Sequence, residues 1–361
     1  MLLLLSLLLS MLVLVGCSGS EYPPVESTEE ESAVLMTFDV EGEKYELKYE
    51  LYRALFLNNK SVVDGGDSTV WVGDSAEEYA EKIDKIIINS AAEIFSVLHH
   101  AKKIGLDPYS AAVNAKIDEY IKLGVEGGDD VLGYGGDYGK YLNSLKEMNL
   151  NYSAHILIYR YAIAYDYIIE YYKGTVNEES PNTEMKEGAI KYTDEELLEF
   201  YESDDCVRVF RVTLDGRSYK DSRAKEIREK IASFGNEQAA QEYMAGFTPS
   251  TEKDVFVGVL LGKYSSDEFY YSALTEAAFS LGYNEVSEPI RVVSYKENTY
   301  VILYKTDKPE SFFTEHKGEV KDAYVSNEIG KLLSEEKESL IASKSESGAF
   351  SQLEYVEIKM P

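Results

Sequence analysis

The apolar spacing of the chain changes period once, close to Ser203, and that change restricts the folds open to it. Upstream, Tyr79, Ile83, Ile86, Ile87, Ile94 and Leu98 recur at helical spacing and predict the buried face of one long helix that stops at Gly105. Downstream the pattern shortens to strand Val207–Leu214, helices Tyr219–Ser233 and Glu237–Met244, strand Val255–Leu261, helix Asp267–Leu281, and strands Ile290–Val293 and Thr299–Lys305. The expected class is therefore α+β. A mainly helical N-terminal module is completed by a C-terminal helix and strand, with a β-α-α-β-α-β-β domain inserted between them.

Local signals fill in the rest. Alternation over residues 34–49 around Glu41-Gly42-Glu43 predicts a strand and turn, followed by a helix near Glu50–Leu57. Ser75 with Glu78, and Thr193 with Glu196, have capping-box spacing, and Asp107-Pro108 reads as a helix start. Gly124–Gly139 is Gly-rich, but the third position of its G-x-G-x-x-G frame is Tyr138 and no Walker spacing precedes Lys140, so it reads as a connection. Two helices follow, the second rich in Tyr. After Pro309 a charged helix over Phe313–Lys344 and a strand over Leu353–Lys359 are too sparse in core to stand alone and are expected to dock on the N-terminal helices.

Charge limits the partners. With 36 Lys and Arg against 65 Asp and Glu, the net charge of −29 opposes binding to nucleic acid, which needs basic patches. His99 and His100 are adjacent on a helix and point to different faces, no H-E-x-x-H spacing occurs, and neither metal nor cofactor is expected. No G-x-S-x-G elbow marks a hydrolase. Cys206, at a strand start, reads as a buried inert thiol.

Residues 2–15 are apolar except for Ser6 and Ser10, a stretch too short to span a bilayer and of h-region length. They end in Leu14-Val15-Gly16-Cys17, which resembles the lipobox of bacterial lipoproteins. That resemblance makes Cys17 the lipid-attachment residue and the membrane, through its anchor, a partner. No basic residue precedes Lys44, so the translation start is expected upstream. Residues 18–33 read as an acidic, extended tether holding the protein on the outer face of the cell membrane.

The downstream words Ala277-Ala278-Phe279-Ser280-Leu281, Asn284-Glu285-Val286-Ser287-Glu288-Pro289-Ile290, Tyr300-Val301-Ile302-Leu303 and Lys308-Pro309 resemble a parvulin-type peptidyl-prolyl isomerase domain over about residues 205–308. The whole layout resembles extracytoplasmic foldase lipoproteins of the PrsA and SurA kind. The resemblance implies a signal and lipobox at 1–17, a tether at 18–33, a helical chaperone module at 34–203, a parvulin-like domain at 204–309, and a segment at 310–361 that packs back on the module.

It also implies an isomerase groove with two His on its floor and an apolar cup for proline. At the two His positions this chain carries Arg211 and Tyr300; the cup positions carry Tyr270, Leu274 and Phe279, and Asp254 falls in a shortened Gly-rich segment. A guanidinium stays charged and never accepts a hydrogen bond, so it cannot stand in for a neutral imidazole. The resemblance thus implies a membrane-anchored chaperone for unfolded or proline-containing polypeptides, with a weak or silent isomerase domain. An active isomerase and a lipoprotein recruiting one folded partner are the competing readings, and assembly as a homodimer stays open.

Overall fold

A computed structural model describes residues 22–128, 133–174, 188–215, 218, 221–247, 257–265, 272–293 and 298–359. Helix and sheet are mixed, and the described residues divide into two compact units, one within residues 22–168 with 333–359 and the other built on residues 169–332.

In the first unit β1 (Val34–Val40) and β2 (Glu43–Lys48) form a hairpin, and β7 (Ser345–Glu346) pairs antiparallel with the other edge of β1, giving the sheet order β2-β1-β7. Glu41 and Gly42 both take left-handed φ, of 52° and 82°, as a tight turn between twisted strands requires. Helix α1 (Tyr49–Asp64) follows directly. Helix α2 (Ala76–Lys103) buries Ile83, Ile87, Ala91, Ile94 and Leu98, a stripe at helical spacing. Helices α3 (Ala111–Glu126), α4 (Tyr138–Glu147) and α5 (Tyr152–Lys173) complete the helical part.

The C-terminal segment belongs to this unit, but not as the strand the sequence predicts at 353–359. Past β7 it forms short 3-10 turns at Phe350–Gln352 and Tyr355–Glu357, because its aromatic rings dock singly on the helices. Tyr355 stacks on Trp71 at 6.1 Å, and its hydroxyl donates to Asp84 Oδ2 at 2.6 Å, while Tyr52 donates to Oδ1 of the same carboxylate at 2.5 Å.

Residues 22–33 are not the free tether that their composition suggests. Arg53, itself buried, donates to Glu31 at 2.7 Å, Ser27 donates to Glu50, and the Tyr138 hydroxyl donates to the Pro23 carbonyl at 2.7 Å. The partners that hold the segment come from α1 and α4, far away in sequence. Residues 18–21 and the lipobox with Cys17 lie outside the described residues.

Two helix starts also differ from the sequence signals. Ser75 makes no capping bond and donates instead to the Val70 carbonyl, while Glu78 pairs with Lys82. Asp107 accepts from the Tyr109 N–H in a local turn, and Ser110 caps α3 through the Val113 N–H. The Thr193–Glu196 box is present, with both of its bonds made.

The second unit holds α6 (Asp194–Glu202), β3 (Cys206–Asp215), α7 (Asp221–Ala232), α8 (Glu237–Ala245), β4 (Val259–Gly262), α9 (Ser272–Ser280), β5 (Ile290–Val293), β6 (Asn298–Thr306) and α10 (Glu310–Glu315). Its sheet is antiparallel throughout, in the order β4-β3-β6-β5. The division of the chain therefore does not fall at Ser203. Leu197, Phe200 and Tyr201 of α6 pack with Cys206, Phe312 and Val320 in one buried cluster, which ties α6 and the chain after Pro309 to the strands. The charged helix expected over 313–344 is two helices. Helix α10 ends at Glu315, and α11 runs over Lys317–Ser343 after a break at His316, whose N–H closes back on the Phe312 carbonyl.

Candidate functional site

Strand alternation gives the second unit's sheet two different faces. Phe210, Val212 and Leu214 of β3, with Tyr300, Ile302 and Tyr304 of β6, lie against α7 and α8. Val207 and Val209, with Val301 and Leu303, lie against Leu274 and Ala278 of α9, and Phe279 packs half-buried at the edge of that cluster. Arg211 follows the odd-numbered set: it pairs with Leu303 and is half-buried.

Tyr300 pairs with Leu214 and sits 8% exposed in the opposite cluster. Arg211 and Tyr300 therefore do not share a groove floor, and the pairing of the two as floor residues is corrected by the register. On the Arg211 side β6 contributes the apolar Val301 and Leu303, flanked by Thr299 and by Lys305, which donates to the Leu281 carbonyl at 2.7 Å. Leu274 and Phe279 do lie on the Arg211 side, as a cup would need; Asp254 and Tyr270 lie outside the described residues.

The turn words are structural. Asn284 takes a left-handed φ of 63°, its N–H reaches the Lys305 carbonyl, and its side chain accepts from the Tyr304 hydroxyl at 3.0 Å. Ser287 exchanges bonds with Leu303 and extends the sheet edge. Arg208, buried, donates to the carbonyls of Val257 and Asp307 and stacks on Phe312 at 4.4 Å. Gly258, with φ of 86°, lies so close that a Cβ would stand 3.1 Å from Arg208 Nε. Burial raises the Cys206 thiol to about 12, against the pull of Lys308, so it is no nucleophile at neutral pH.

The first unit holds a cleft of about 580 Å³. One wall is β2, the open edge of the three-stranded sheet; the others include Pro24 and Val25 of the N-terminal segment, Phe95 and Leu98 of α2, Tyr109, and Leu157 and Arg160 of α5. Arg160 is fixed by a bond to the Pro108 carbonyl and by the Tyr109 ring 4.6 Å away. Burial lowers its pKa and raises that of Tyr109. The cleft is not among the sites read from the sequence, although the alternation of Lys44, Tyr45, Glu46, Leu47 and Lys48 was a signal for it.

Among the described residues no cluster of three or more His, Cys, Asp or Glu could hold a metal, and no helix is long and apolar enough to cross a membrane. No family model and no curated protein matches the chain. The solved structures that it is similar to include the foldase protein PrsA from Streptococcus pneumoniae, at 16% identity over 90% of this chain and 100% of that one, with a TM-score of 0.29. PrsA from Bacillus subtilis is 18% identical over 74% of this chain and 87% of that one, with a TM-score of 0.23. The foldase protein PrsA from Lactococcus lactis is 13% identical over 91% of this chain and 100% of that one, also with a TM-score of 0.23. TM-scores this far below 0.5 carry no function across to this chain.

Proposed function

We propose that the protein is a membrane-anchored, extracytoplasmic chaperone of unfolded secreted polypeptides, whose parvulin-like second unit binds chain segments with weak or no isomerase turnover. The observation that carries this reading is the register of β3 against β6. Twisting an X-Pro bond past a barrier of about 18–20 kcal/mol needs polar groups placed around one carbonyl. On the Arg211 face β6 presents Val301 and Leu303, flanked by Thr299 and by Lys305, whose ammonium already donates to the Leu281 carbonyl at 2.7 Å, while the Tyr300 ring belongs to the opposite core. A face that is aliphatic opposite Arg211, with its second cation, Lys305, bonded to a backbone carbonyl, supports holding a segment better than turning over its bond. The walled cleft of the first unit supports the same reading, since it offers an apolar surface and an open strand edge together. Anchoring rests on the lipobox-like Cys17.

Two assays test it. The chain is expected to suppress aggregation of several unrelated unfolded proteins, and binding of one native protein alone would refute that. In a proline-limited refolding assay the wild type is expected to be silent. Arg211→His with Val301→His, which puts both rings on one face, should gain rate, whereas Arg211→His with Tyr300→His should not. A fast wild type would make the protein an isomerase.

A further inference from the structure

Strand β2 is bonded to β1 along one side from Glu43 to Lys48, and its other side is the outer edge of the sheet. Such an edge presents an unpaired row of N–H and C=O groups at every second residue. Among the described residues, no backbone bond from another element reaches that side. Edges of this kind in soluble proteins are normally covered, kept short or lined with charge. This one opens into a cleft whose far side carries Leu157, Tyr109 and Arg160. Six residues of strand span about 20 Å, and a volume of about 580 Å³ is in the range that accepts several residues of chain.

The geometry points to β2 as a strand-acceptor site, at which an extended segment of an unfolded polypeptide pairs with the β2 edge as a fourth strand of the sheet. This inference rests on the chaperone reading and names how the first unit would hold its client. The charges select the occupant. Lys44, Glu46 and Lys48 alternate along one face of β2, Lys44 and Glu46 are exposed and Lys48 half-buried, and none of the three makes an ion pair among the described residues. Side chains directly opposite on paired strands share a face, and opposite charges there are favourable. The complementary segment carries acid, base and acid at alternate positions, with apolar residues between them for the wall of Phe95, Leu98 and Leu157. Because that pattern reads the same in both directions, it holds for parallel and antiparallel addition. The two lysines, which usually discourage indiscriminate edge pairing, here make it selective.

The test uses the full chain and fluorescein-labelled peptides, read by anisotropy. A peptide with the core Glu-Val-Lys-Val-Glu should bind about a hundredfold tighter than one with Lys-Val-Glu-Val-Lys, since each of the three facing pairs changes from attraction to repulsion, about fivefold per pair. The triple variant Lys44→Glu, Glu46→Lys, Lys48→Glu should reverse the preference. N-methylation removes backbone donors without touching the protein. Methyl groups on one alternate set of peptide residues should cost about tenfold or more, and on the other set almost nothing, because only one set faces β2. Equal loss from both sets, no loss from either, or a preference that survives the charge swap would overturn strand addition. A chain that suppresses aggregation yet binds neither peptide leaves the chaperone reading standing and removes this one; failure of both assays removes both.

Discussion

The C-terminal residues should be worth more to the first unit than their length suggests, and Tyr355 is where to measure it. Its hydroxyl donates to Asp84 Oδ2 at 2.6 Å, and its ring lies 13° from parallel with Trp71 and 6.1 Å from Phe56. Tyr355→Phe removes only the bond to the carboxylate. A hydrogen bond to a charged acceptor contributes about 1.5–3 kcal/mol, and Asp84 keeps its bond from Tyr52, so the low end, about 1.5 kcal/mol, applies. Tyr355→Ala also removes two ring contacts, each worth about 0.5–1.5 kcal/mol beyond area, for a total near 3 kcal/mol. Trp71 is the one tryptophan of the chain and is 4% exposed, so its fluorescence during urea unfolding reports this cluster. With a urea dependence of about 2 kcal/mol per molar, the midpoint should fall by about 0.7 M for Phe and 1.5 M for Ala. Combining Tyr355→Phe with Tyr52→Phe should be non-additive, because both hydroxyls serve one carboxylate. A shift below about 0.3 M for the alanine variant, with unchanged Trp71 emission, would refute the docking of the tail.

Three further outcomes follow from single sites. Gly258→Ala should cost about 1–3 kcal/mol in the second unit by chemical denaturation, since it adds a left-handed φ penalty to a close approach on Arg208. Cys206 should resist alkylation at pH 7 in the native protein and react on unfolding, as mass mapping of its peptide would show; rapid native labelling would contradict the raised thiol. Burial pushes His155 down to about 3 from an ordinary value of 6.5, so the imidazole stays neutral beside the Tyr141 hydroxyl, 2.8 Å away. The unfolded chain takes up a proton first, so the His155 contribution is complete above about pH 6.5 and is lost as pH falls from there toward 3. Between pH 7 and 5 wild type should lose about 2 kcal/mol more than His155→Leu; equal losses would mean that the ring is solvated.

How far the sequence could be read depended on whether the deciding partner was near or far along the chain. The Thr193–Glu196 cap, the α2 stripe and the order of strands and helices between Val207 and Lys305 are set by neighbours within a turn or two, and each is present. Composition made residues 22–33 look like a tether, and nothing local reveals that Arg53 and Tyr138 hold them. The same limit decided the candidate groove. Aligning the words of the last strand placed Tyr300 at the second floor position, and a strand alternates faces at every residue, so a displacement of one transfers a side chain from one core to the other. Only the pairing of Leu214 with Tyr300 and of Arg211 with Leu303 fixes which face each occupies. Once that register is known, the β6 residues nearest Arg211 on its own face are Leu303, directly opposite, and Val301, and the chemistry available there changes from a cation facing a phenol to a cation beside an aliphatic wall. A wall of that kind can hold an apolar segment by burial, and the polar β6 residues of this face, Thr299 and Lys305, flank it instead of lying opposite Arg211, with Lys305 bonded to the Leu281 carbonyl. The refolding assay with histidine at 300 or at 301 therefore tests the register and the proposed lack of turnover at once.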